Sequence, residues 1–248
     1  MFIHKKELLH PVVVTQPSSQ FAQFLLEQFG GATGELSAGL QYFVQSQHTD
    51  DPNLRDMLLD IATEEFGHLE IVAHLIEAHT KGSQQAQAYQ STLFSVRGKG
   101  PHFLDSQGVE WSAKYLNEGA DPVRDLRADI AAEGGALATY EALIPKSPDE
   151  GTFRALRHLA TREVAHTKMF MIALNSMGKL SDPLFGPLQP DNTVDLYFNM
   201  SSDGTANERG PWNQEPNFRY VADPLAQLQQ NSGGGMPPGN QSGMPRNR

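Results

Sequence analysis

The stretch Asp60-Ile61-Ala62-Thr63-Glu64-Glu65-Phe66-Gly67-His68-Leu69-Glu70 sets Glu65 and His68 inside an apolar helical stripe. Leu58, Ile61, Leu69 and Val72 mark that stripe at the 3/4 spacing of a helix that turns one face inward. Residues three apart are neighbours on a helix surface, so the carboxyl and the imidazole share the buried side. The pattern returns at Arg162-Glu163-Val164-Ala165-His166, with Leu156, Leu159 and Phe170 around it. Each Glu-x-x-His also follows another mid-helix glutamate by 30 residues: Glu35 precedes Glu65, and Glu133 precedes Glu163. Seven residues after each first glutamate stands a tyrosine, Tyr42 and Tyr140, two turns along the same face. A third Glu-x-x-His, Glu7-Leu8-Leu9-His10, precedes the periodic region and has no partner glutamate, so it is set aside.

Four carboxyls and two imidazoles on inward faces pose a physical problem. An unpaired buried carboxylate costs several kcal/mol even after relaxation, and converging ones repel each other besides. Such a core persists if the glutamates are protonated, pair with cations, or bind metal. Lys and Arg are scarce on those faces, which leaves metal as the main reading and a polar-cored bundle of protonated glutamates as the alternative. Carboxylate oxygen with imidazole nitrogen suits manganese or iron. Small residues at Gly31, Ala32, Ala38, Gly39, Gly134 and Ala136 would let the helices approach closely. The chain has no cysteine, which excludes disulfides, thiolate chemistry, iron–sulfur clusters and cysteine-ligated zinc.

Working outward, helical periodicity predicts four segments. They run from about Ser18 to Gln47, from Pro52 to about Gly82, from Pro122 to about Pro145, and from Pro148 to about Gly178. Asp51-Pro52 and Asp121-Pro122 each carry a capping residue followed by proline in the first turn. Between the two hairpins lies a segment over 83–120 with Gly98, Gly100, Pro101 and Gly108 and no sustained period. Two helical hairpins joined by one long crossover predict an all-α, ferritin-like four-helix bundle over 1–179. An extended, mostly irregular C-terminal arm over 180–231 is expected to pack on the bundle or a neighbouring subunit, and 232–248 reads as a flexible Gly/Pro tail. From Leu180 onward the chain holds 9 of its 16 prolines.

The 248 residues carry 19 Lys plus Arg against 29 Asp plus Glu, a net charge of −10. That balance disfavours nucleic acid and anionic membrane as partners. No apolar run has the length of a membrane helix. The opening residues make a poor secretory signal, because His10 and Pro11 interrupt Leu8-Leu9 and Val12-Val13-Val14; a cytoplasmic location is expected.

With these motifs in place, the sequence resembles the manganese catalase family. The segments that carry the likeness are Gly34-Glu35-Leu36-Ser37-Ala38, the stretch 60–70 quoted above, and Arg162-Glu163-Val164-Ala165-His166. Asn199-Met200-Ser201-Ser202-Asp203-Gly204 and Arg209-Gly210-Pro211-Trp212-Asn213 extend it into the arm, as far as about Pro224. The resemblance implies disproportionation of hydrogen peroxide at two manganese ions per subunit, in a homohexamer. It implies Glu35, Glu65, His68, Glu133 and His166 as metal ligands, with Glu65 bridging. It also implies Glu163 as proton acceptor and donor, and Tyr42 as a hydrogen-bonding neighbour of a ligand. The internal repeat alone would make Glu163 a sixth ligand. Two positions depart from the pattern of some members: Ala132 stands where they have Arg, and Tyr140 where others have Lys.

Some members also bind calcium, and the matching residues here are Asp56, Asp60, Asn199 and Ser201; the plainer reading of Asp56 and Asp60 is a solvated acidic face. His74 and His79 read as surface or interhelical polar groups, and His158 as a satisfied core histidine. Trp111 and Trp212 read as packing or interface groups. Two other functions stay open at this stage: a di-iron peroxidase or oxidase, disfavoured by the lack of a Cys-x-x-Cys module, and a non-catalytic coat or shell protein that kept the fold.

Overall fold

A computed structural model describes residues 5–82, 93–200 and 209–225. The chain divides into two compact units, 1–186 and 187–248. The first holds helices α1 (Ser19–Gly30), α2 (Glu35–Ser46), α3 (Pro52–Gly82), α4 (Leu93–Arg97), α5 (Pro122–Leu143) and α6 (Glu150–Ser176). α1 and α2 lie along α3, and α5 packs on α6; these two hairpins face each other to make the bundle. In the second unit, short strands β1 (Leu196–Phe198) and β2 (Arg219–Val221) pair in parallel, with Tyr197 stacked on Tyr220.

The expectation of one helix from Ser18 to Gln47 needs correction: the chain breaks between Gly30 and Glu35. Ser18 caps α1 by accepting from the Phe21 N–H, and α1 ends on Gly30-Gly31. A Cβ on Gly30 would sit 2.5 Å from the carbonyl oxygen of Leu104 in the crossover, so glycine there lets the crossover backbone lie against the helix end. The break has a consequence for the site: Glu35 becomes the first residue of α2, where the helix dipole favours a negative charge. The other three long helices start and end close to where the sequence places them. Asp121 and Asp149 accept from the N–H groups of Arg124 and Thr152, closing the first turns of α5 and α6.

Two apolar clusters bracket the polar core. One gathers Phe21, Leu25, Leu26, Ile71, Leu75, Phe94, Leu156 and Leu159 toward one end of the bundle. The other gathers Tyr42, Leu58, Ile61, Leu126, Phe170 and Leu174 toward the other end. Close approach is visible at Gly39, whose missing side chain leaves room for the Phe66 ring. Gly134 contributes nothing of the kind, because it faces open space. No described helix is long and apolar enough to cross a membrane.

Candidate metal centre

Between those clusters, Glu35 from α2, Glu65 and His68 from α3, Glu133 from α5, and Glu163 and His166 from α6 converge, all at most 1% exposed. Their ligand atoms form two overlapping groups. Glu35, Glu65, His68 and Glu163 make one, and Glu65, Glu133, Glu163 and His166 the other, with atoms in each group within 4.8 Å of one another. Glu65 and Glu163 belong to both. His68 Nδ1 lies 2.9 Å from Glu65 Oε2, and His166 Nδ1 lies 2.7 Å from Glu65 Oε1, so each oxygen of one carboxylate faces one imidazole. The two rings stack with centroids 5.6 Å apart. His68 Nδ1 is also 3.6 Å from Glu35 Oε2, and His166 Nδ1 is 3.6 Å from Glu133 Oε1.

The two tyrosines cross over. Tyr42 on α2 donates its hydroxyl to Glu133 Oε1 on α5 at 2.7 Å, while Tyr140 on α5 donates to Glu35 Oε1 on α2. Burial, followed by the neighbouring Glu133 and Asp129 charges at Tyr42 and the Glu35 and Glu163 charges at Tyr140, pushes both phenols well above their ordinary range. They therefore act as neutral donors. Beneath Tyr42, Gln41 donates from Nε2 to Asp129 Oδ1 at 2.9 Å, and burial first of all pushes the Asp129 carboxyl well up.

One residue of the centre escaped the sequence reading. Glu64, half-buried, lies with Oε1 3.5 Å from His68 Nε2 and Oε2 3.2 Å from His166 Nε2. Arg162 holds it from outside, donating from Nε to Oε1 at 2.5 Å and from Nη2 to Oε2 at 3.3 Å. Contact with His166, then with His68, keeps the Glu64 carboxyl well below the usual carboxylate range. The available signal was the adjacent acidic pair Glu64-Glu65, with Glu64 four residues before His68 on the same helix face.

The electrostatics describe carboxyls and imidazoles that share protons in a closed space. Burial, then the Glu65 charge, pushes Glu35 up to about 8. Burial, then Glu35 and Glu65, pushes Glu163 well above its ordinary value. Burial would raise Glu65 as well, but the close His166 and His68 imidazoles outweigh it and hold Glu65 low. Burial would lower the imidazoles; the carboxylates outweigh it, raising His68 to about 12 and His166 to about 11. Even so, Glu35 Oε2, Glu65 Oε1, Glu133 Oε2 and both oxygens of Glu163 have no hydrogen-bond partner, nor have His68 Nε2 and either nitrogen of His166 in alignment. Orphaned buried oxygens of this number are rare in a native core and converge here on one place. Two divalent cations would balance the four glutamates and displace the protons the cluster must otherwise carry. Oxygen-rich donors with one imidazole per group suit manganese. On both counts the residues fit a pair of manganese ions.

Asp56 and Asp60 are exposed on α3, lining a cleft of about 450 Å³ with Asn53, Glu64 and Arg162. Asn199 belongs to the second unit, and Ser201 lies outside the described residues. His79 is fully buried between helices rather than at the surface. His158 stacks on His10, ring centroids 4.8 Å apart, on the outer side of α6. Trp111 donates from its indole N–H to Ser37 Oγ at 2.9 Å, tying the crossover to α2.

Comparison with known proteins agrees with this geometry. The family model for manganese-containing catalase matches residues 1–242. A probable manganese catalase of Clostridium acetobutylicum is 35% identical, over 90% of this chain and 95% of that protein. Protein CotJC of Bacillus subtilis is 36% identical over 73% of this chain and 97% of its own. The crystal structure of wild-type KatB, a manganese catalase from Anabaena, superposes with a TM-score of 0.86 at 65% identity, covering 90% of this chain and all of that one. Matched along nearly its whole length and bearing the buried carboxylate–histidine cluster, this chain belongs to the manganese-containing catalase family.

Proposed function

We propose that the buried cluster holds two manganese ions and converts two molecules of hydrogen peroxide into two of water and one of dioxygen. Membership of the catalase family gives the enzyme class and the substrate. The observation that carries the dinuclear reading is the pair of carboxylate–histidine groups sharing Glu65 and Glu163. Glu35 and His68 would hold one ion, Glu133 and His166 the other, and Glu65, common to both groups, would serve each. When bound, the manganese pair supplies two-electron redox capacity by alternating between Mn(II)₂ and Mn(III)₂, so no external reductant is required.

The chain's own residues hold the ligands and handle the protons. Oxidising one peroxide to dioxygen releases two protons, and reducing the next to two waters consumes two. Glu163 is placed to take a proton and return it: both its oxygens are unpartnered, and burial favours its protonated form. Tyr42 and Tyr140 each donate to one oxygen of a ligand carboxylate, Glu133 and Glu35, and fix which way the other oxygen points. Buried apolar walls above and below keep bulk water from competing for those protons.

The proposal extends to a homohexamer, which exposed Val164, Met171 and Ile172 on α6 support as surfaces for burial between copies. For calcium the support is narrower: Asp56 and Asp60 are hard oxygen donors open to one cleft. The deciding experiment measures dioxygen formed per peroxide consumed by manganese-loaded protein without reductant. A ratio near one to two is expected, with Glu133→Ala losing turnover while keeping helical content. Peroxide loss without dioxygen would refute the catalase reading and favour a peroxidase.

A further inference from the structure

The histidines of the cluster have two sides, and the outer side is organised by a single group. Both Nδ1 atoms face Glu65 on the inside, while both Nε2 atoms face Glu64 on the outside, one per oxygen. A neutral imidazole carries one N–H, and the nitrogen that binds a metal must be the other one. We propose that Glu64, held by Arg162, is a positioning residue that sets the tautomer of both histidines at once, keeping Nε2–H outward and Nδ1 free for the metals. The inference rests on the dinuclear reading above and adds a residue to it.

Its content lies in the number of acceptor oxygens. A carboxylate offers two, and the geometry uses one for each ring, at 3.5 Å and 3.2 Å. Both distances fall within hydrogen-bond range, although neither Nε2–H is aligned on its oxygen in the metal-free chain. Arg162 reaches both oxygens from the opposite side, so the carboxylate plane is fixed between a cation and two imidazoles. Groups that orient ligand histidines in this way alter metal affinity by about 10- to 100-fold when removed.

Glutamine at this position has nearly the same shape and one acceptor oxygen. Its carbonyl can serve one histidine; its amide N–H₂ then meets the Nε2 of the other and favours the tautomer with the proton on Nδ1. Glu64→Gln is therefore expected to damage one manganese site and spare its neighbour. Glu64→Asp, with both oxygens, should retain both. Arg162→Ala, which loosens the carboxylate without removing an oxygen, should weaken the two sites together.

The experiment titrates metal-free wild-type, Glu64→Gln, Glu64→Asp and Arg162→Ala proteins with Mn(II) alone, by calorimetry and by electron paramagnetic resonance. Wild type is expected to take up two ions per chain and give the spectrum of an exchange-coupled pair. Glu64→Gln is expected to bind one ion with affinity near wild type and the second about 10- to 100-fold more weakly. Its spectrum at two equivalents should be that of isolated Mn(II). Glu64→Gln binding both ions like wild type would overturn the inference, as would equal weakening of both sites in that variant. Wild type binding fewer than two ions would instead refute the dinuclear reading itself. Should Glu64→Gln lose helical content, Arg162→Ala still decides: unchanged affinity at both sites would overturn the proposed role of the pair.

Discussion

His79 offers a test of the fold that is independent of the metals. It sits near the end of α3, fully buried, where it joins three elements. The backbone N–H of Ser18, the cap of α1, donates to His79 Nδ1 at 3.1 Å. Nδ1 is thus an acceptor, and the proton lies on Nε2, which faces Thr152 Oγ1 of α6 at 3.1 Å. That arrangement has no place for a second proton. Burial outweighs the nearby Asp149 charge and lowers the imidazole from 6.5 to about 4. A histidine depressed in the folded state leaves stability whole above pH 6.5, and stability falls as pH drops toward 4, because the unfolded chain binds the proton first. Integrating between those two pKa values gives a loss of about 2 kcal/mol from roughly pH 7.5 to pH 5. Denaturant unfolding of metal-free wild-type and His79→Gln proteins at the two pH values, at one protein concentration, isolates this contribution. Titrations shared by both proteins, including those of the cluster, cancel in the difference. The wild type should lose about 2 kcal/mol more than the variant. Parallel pH slopes in the two proteins would refute the reasoning.

The remaining predictions concern the cluster. Glu163→Gln keeps shape but cannot accept a proton; dioxygen evolution should fall about 100- to 10,000-fold with manganese content unchanged. A parallel loss of manganese would make Glu163 a ligand and not a proton carrier. Tyr140→Phe deprives Glu35 Oε1 of its donor, and should weaken Mn(II) uptake about 10-fold in calorimetry. An unchanged affinity would show that Glu35 is held in place without the phenol.

How far the sequence discloses this molecule depends on what each feature requires. Helix α3 was legible because its apolar stripe, its Asp51-Pro52 start and its polar pair agree with one another. The break at Gly31–Gly34 was not, because the apolar spacing on either side continues in register and only the fold shows Leu104 lying against Gly30 and the backbone of Glu27 and Gln28 crowding Gly31 and Gly34. The tyrosines were half legible. Spacing of seven puts Tyr42 and Tyr140 on the inward faces, but names no partner across the bundle for either. Their true partners, Glu133 and Glu35, lie across the bundle, a pairing fixed by the distance between helices and not by any period along one. Glu64 was missed for a related reason. On α3 alone it looks like a solvated acid beside Glu65, and its meaning comes from His166 and Arg162 on α6.

These cross-helix pairings account for the position of Tyr140, where part of the family has lysine. A lysine beside Glu35 would add positive charge to the cluster; a phenol donates the same kind of hydrogen bond and adds none. With Ala132 in place of arginine, the cations named at those two positions in other members are both missing here. Arg162 does not replace them, because Glu64 neutralises it at 2.5 Å. In the metal-free chain the buried glutamates are balanced by protons, on the raised carboxyls of Glu35 and Glu163 and on the imidazoles of His68 and His166. Neutral donors, Tyr42 and Tyr140, orient the carboxylates here, and under the dinuclear proposal the two ions would take over charge compensation from those protons. A hydrogen bond from a neutral donor constrains direction without competing for the carboxylate's charge, which suits a carboxylate that would also hold a redox-cycling cation.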